Sequence, residues 1–87
     1  MPDLVASNKV MSSKLCTAGN VYLIEMPVNM YVVLCYSEEE TQVPIFSRVF
    51  FFDEINRKIV LSQARKTYNK IKYHLEKKNL HLIEELE

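Results

Sequence analysis

The run VPIFSRVFFF at residues 43–52 constrains this chain more than any other stretch. Read as a strand, it sets Val43, Ile45, Val49 and Phe51 on one side and Phe46, Phe50 and Phe52 on the other, with Arg48 its only charge. Successive strand side chains point to opposite faces. Such a strand therefore needs apolar cover on both sides.

Two further runs share the property. Residues 21–26 (VYLIEM) and 30–37 (MYVVLCYS) are rich in β-formers and are separated by a Pro-Val-Asn break in which Asn29 suits a positive φ. Val21 and Leu23 oppose Tyr22, Ile24 and Met26; Tyr31, Val33 and Cys35 oppose Val32, Leu34 and Tyr36. An antiparallel sheet with one wet face should alternate apolar with polar, and these runs do not. Glu38 to Thr41 reads as a solvated turn, as does Asp53 to Arg57, and residues 58–61 (KIVL) read as a short fourth strand. Ser62 then suits the N-cap of a helix over 63–78, striped by Ala64, Tyr68, Ile71 and Leu75 at spacings of four, three and four. Beyond Lys78 two readings stand: a helix continuing through Leu82 and Leu86, or a break at Asn79, which is preferred, with residues 80–83 docking as a tail or last strand.

The fold class expected is α+β: an antiparallel meander of three to four strands followed by one amphipathic helix packed on one face. Residues 1–18 read as a separate N-terminal segment, a short helix striped by Leu4, Val5, Val10, Met11 and Leu15 or a frayed tail, and residues 19–87 as a single domain. An 87-residue chain with 48% apolar residues has enough for one core. A domain this small often gains stability by oligomerising. One helix covers one sheet face, so the other calls for a partner.

Catalytic chemistry finds little to stand on. The chain has one glycine, so no phosphate-cradling loop. Cys16 and Cys35 form no CxxC or Cys/His cluster and read as buried thiols of a reducing compartment. No cofactor or metal is expected. Residues 1–9 lack the basic and apolar regions of a signal peptide, and no run of about 20 apolar residues spans a membrane, so a cytoplasmic location is expected.

Net charge is zero but unevenly placed: residues 1–47 carry two lysines against five acids, whereas 57–78 carry eight basic residues against Glu76 alone. The functional reading is therefore a small non-catalytic regulatory or adaptor protein. It would act by protein–protein contact, most simply as a homodimer, through Tyr22, Ile24, Tyr31, Val33, Phe46, Phe50 and Phe52. The alternative is a single-stranded nucleic-acid binder using Arg65, Lys66, Lys70, Tyr73 and Lys77 on the basic helix. In element order the expected meander and helix is similar to PUR-type single-strand binders, which carry stacking aromatics on a basic sheet; here the basic residues concentrate on the helix.

Overall fold

The computed structural model describes residues 9–86. Four strands, β1 (Lys9–Cys16), β2 (Gly19–Met26), β3 (Met30–Ser37) and β4 (Phe46–Phe51), are followed by helices α1 (Arg57–Glu76) and α2 (Leu80–Glu84). The sheet is an antiparallel meander in the order β1-β2-β3-β4. The fold is thus the expected α+β class, with one difference in which segment supplies the remaining strand.

That strand is N-terminal. Residues 9–16 form edge strand β1, so the boundary drawn at residue 18 falls inside a hairpin, and the helical stripe expected there does not form over its described part. Residues 1–8 lie outside the described residues. In β1 a bulge between Val10 and Ser12 sets one extra residue into the strand, and Met11 packs against the core. The expected strand at 58–61 is instead the first turn of α1. Val60 is buried and begins a stripe continued by Ala64, Tyr68, Ile71 and Leu75, a helical period that overrides the β-propensity of the Ile-Val pair. Ser62 consequently sits exposed within the helix, and Asn56 occupies the N-cap position.

The 53–56 turn sets this earlier start. Asp53 Oδ1 accepts the N–H groups of Ile55 and Asn56, both at 2.9 Å, while Asn56 Oδ1 accepts the Asp53 N–H at 2.7 Å. Arg57 then ties the first turn of α1 to the sheet. Its Nε donates to the Tyr31 hydroxyl at 3.1 Å, its Nη2 meets Glu25 Oε2 at 3.0 Å, and its guanidinium lies over the Phe52 ring. Phe52 in turn stacks on Tyr31 at 4.6 Å. At the other end the helix breaks near Asn79: α1 stops at Glu76, Lys78 takes the left-handed region at φ 62°, and Asn79 sits at the N-cap position of α2. Residues 80–83, expected as a tail or last strand, are instead the start of that short helix, which folds back to bury Ile83 completely.

The core lies between α1 and one sheet face. The register places Val21 opposite Cys35 and Leu23 opposite Val33, then Tyr31 opposite Phe50 and Cys35 opposite Phe46. Those residues meet Ala64, Tyr68, Ile71, Leu75 and Ile83 in a single cluster. The thinnest Cα dimension, 18 Å, fits one helix layer on one sheet layer and no third.

Two turns between strands are locally constrained. Val28 and Asn29 both take the left-handed region, at φ 66° and 59°; Asn29 suits it, whereas a β-branched residue there is strained. Gly19, buried at the start of β2, is required for space: a Cβ there would overlap the carbonyl oxygen of Tyr36 on the neighbouring strand. Gly19→Ala should therefore destabilise the fold by about 2 kcal/mol or more, read as a drop in urea midpoint at unchanged slope.

Candidate functional site

The face of the sheet away from α1 is set by the same register. From β1 it receives Val10, Ser13 and Leu15; from β2, Asn20, Tyr22, Ile24 and Met26. From β3 it receives Met30, Val32, Leu34 and Tyr36; from β4, Ser47, Val49 and Phe51. No strand contributes a charged side chain to this face. Every strand charge that the register places, including Lys14, Glu25 and Arg48, falls on the helix side.

Nothing among the described residues covers the open face. Segment 9–16 lies within the sheet, and α2 joins the helix-side core through Ile83, Leu80 and Leu86. Phe51 is 70% exposed and Leu15 79%, with Val10 and Val49 about half exposed. Only Val32, at the centre of β3, is buried by its own neighbours. At one end Tyr22 and Tyr36 meet edge to face at 6.2 Å, and Asn20 Nδ2 donates to the Tyr22 hydroxyl at 3.3 Å. The opposite end is Met26, Met30 and Phe51. Soluble monomers rarely expose an uncharged, largely apolar surface of this extent.

Of the seven residues expected at an interface, two stand on this face: Tyr22 and Ile24. The other five are corrected. Tyr31, Val33 and Phe46 are completely buried beneath α1; Phe50 packs against the same core, and Phe52 stacks on Tyr31. The face they leave out carries Val32, Leu34, Tyr36, Val49 and Phe51. Charge parity offered no guide: Glu25 and Arg48 share alternation with the buried Val21, Leu23 and Phe46, so reading the charged parity as the wet one would have chosen the wrong face.

The second candidate surface is α1. Arg65, Lys66, Lys70 and Lys77 are exposed, as is Tyr73 at 55%. Lys77 Nζ lies 5.7 Å from the Tyr73 ring centroid. Lys66 and Lys70 line a cleft of about 180 Å³ with Thr67, Leu86 and, from β4, Arg48. Arg48 is held there by a 2.7 Å hydrogen bond from Nη2 to the Leu86 carbonyl and by the Phe46 ring beneath its guanidinium. Sequence reading missed Arg48 because strand alternation sends it to the core side, where only the cleft gives it an outlet.

The two thiols are free. Cys35 is fully buried on β3, and burial, with a smaller contribution from Cys16, pushes its pKa from the ordinary 9.0 to about 11. It stays a thiol rather than a nucleophilic thiolate at neutral pH. Among the described residues no group of three or more His, Cys, Asp or Glu side chains is placed to hold a metal ion, and no helix is long and apolar enough to cross a membrane. No family model matches this chain, and no curated protein or solved structure matches it significantly.

These thiols give two checkable outcomes. A thiol reagent at pH 8 should label Cys16 in the folded protein and Cys35 only after unfolding, read by mass spectrometry of peptides. Stability should also fall with alkali. The Cys35 pKa is raised on folding, so its contribution is intact below about 9 and is lost as the pH climbs through about 11, because the unfolded chain gives up its proton first. Tyr68, raised by its burial, acts in the same direction.

Proposed function

We propose that this chain is a non-catalytic binding protein that works by pairing with a second copy of itself through the open face of its sheet. The observation that carries this reading is the absence of any charged side chain from that face across all four strands, with Phe51 and Leu15 largely exposed on it.

A second copy is the occupant these features favour. A face without charge offers no repulsion to its own image, which an isologous two-fold contact requires. Four strands about 4.8 Å apart and roughly seven residues long at about 3.4 Å each present about 450 Å² per copy in flat projection. Two copies then approach the ~1,000 Å² of a specific interface before side-chain relief is added. Pairing strand edge to strand edge is less suited: β1 is bulged and carries Lys9 and Lys14, features that blunt an edge. Stacked sheets lie about 10 Å apart, so face-to-face pairing would convert two half-covered sheets into a four-layer α-β-β-α sandwich. Fully burying a large apolar side chain contributes roughly 1.5–3 kcal/mol, so Phe51, 70% exposed in the single copy, and its symmetry mate would supply a large part of the driving force, with smaller shares from the partly covered Leu34 and Val49.

The test is the solution mass by light scattering on a sizing column, with and without Phe51→Asp. Phe51 is exposed, so the variant should keep its helical circular dichroism. Wild type should run near twice the 10.2 kDa chain mass at both low and high salt, and Phe51→Asp should shift towards monomer by a Kd increase of more than about tenfold. A wild-type monomer at high concentration, or a Phe51→Asp dimer of unchanged affinity, would contradict the reading.

A further inference from the structure

We infer that the outward face of α1, with Arg48 beside it, binds the phosphate backbone of a single-stranded nucleic acid. This surface lies across the molecule from the open sheet face and does not depend on pairing.

Like charge converges on this surface. Arg48 comes from β4 and Lys66 and Lys70 from α1, yet all three line one cleft, together with the hydroxyl-bearing Thr67. Surface lysines that serve only solubility spread apart; three cations gathered at one recess repel one another, and an anion seated among them relieves that. Arg48 is not drifting there: the Leu86 carbonyl and the Phe46 ring fix its guanidinium, which has further N–H groups to offer. None of the described residues lining the cleft is acidic. The one acid of α1, Glu76, is turned towards Lys14 on β1 at 3.9 Å.

The surface is extended rather than enclosed. Through Lys66 the cleft joins a shallow trough lined by Lys58, Ser62, Arg65 and Asn69, again without an acid. In the other direction Lys66, Lys70, Tyr73 and Lys77 follow one another at spacings of four, three and four, which puts them on one helix row about 17 Å long. A row of cations and amide or hydroxyl donors along a groove suits successive phosphates, not one buried small molecule. The exposed Tyr73 ring within that row is a stacking surface for an unpaired base, the element that distinguishes a single strand from a duplex.

Fluorescence anisotropy with a labelled single-stranded oligonucleotide of about 12 nucleotides, DNA and RNA in parallel, tests this at about 50 mM salt. Wild type should bind, and affinity should fall steeply as salt rises. Lys66→Glu with Lys70→Glu should weaken binding by more than about tenfold, and Arg48→Gln by several-fold, at unchanged circular dichroism. Tyr73→Ala should lower affinity several-fold while leaving the salt slope as in wild type, which separates stacking from charge. Phe51→Asp should still bind, so failure of pairing and failure of this site read differently. Absence of binding, binding indifferent to the charge reversal, a duplex of the same sequence bound as tightly, or displacement by polyglutamate at equal charge would each overturn the inference.

Discussion

The structure depends on a mismatch: both faces of the sheet are apolar, and the described residues supply a covering layer for only one. Burial of apolar surface is the dominant favourable term in folding, so α1 goes where it can remove most. Val21, Leu23, Tyr31, Val33, Cys35 and Phe46 are driven below detectable exposure under a helix that spends its whole apolar stripe on them. Among the described residues no stripe remains for the other side, because the outward face of α1 is basic and α2 is committed to the same core. The unspent apolar surface sits on the sheet.

The charges of the strands show how the choice of face is stabilised. Glu25 and Arg48 lie on the covered side, against the usual expectation that a strand turns its charges to water. Each reaches the rim of the helix layer and is satisfied there, Glu25 by Arg57 and Arg48 by the Leu86 carbonyl. Flipping the sheet would put both on the open face and strip them of these partners. A one-residue slip of β2 or of β4 would do the same to Glu25 or to Arg48, so register and face of those strands are fixed by the same few polar contacts.

Much of this was legible in the residues. The two-faced runs at 21–26, 30–37 and 43–52 and the stripe from Ala64 to Leu75 have lengths and periods that leave little ambiguity, although only Phe46–Phe51 of the third run pairs as a strand, and a break near Asn79 suits a turn-forming residue after the last apolar position of the stripe. The strand at Lys9–Cys16 was hidden because an edge strand needs cover on one side only; its two serines and two lysines dilute the alternation, and the bulge at Met11 shifts its phase. The start of α1 was hidden because Ile59 and Val60 favour strands locally, while the reciprocal Asp53–Asn56 turn that starts the helix exists only once folded. The interface set mixed the two faces because aromatic content alone does not report which parity meets the helix. Tyr31 and Phe46 are large and apolar for the same reason that Phe51 is, and only the register tells them apart.

The two surfaces lie on opposite sides of a thin molecule. Pairing through the sheet would leave both copies of α1 facing outward, each with its basic row accessible, so the contacts need not compete. The central claim is that the open face is buried in solution. Methyl NMR with an inert paramagnetic co-solute reads this residue by residue. In a concentrated sample the methyls of Ile24, Leu34 and Val49 should be as protected as those of Leu23 and Val33, and should lose that protection on dilution while the core methyls do not. Open-face methyls that relax at every concentration as fast as those of exposed Val28 would show the face wet and the account wrong.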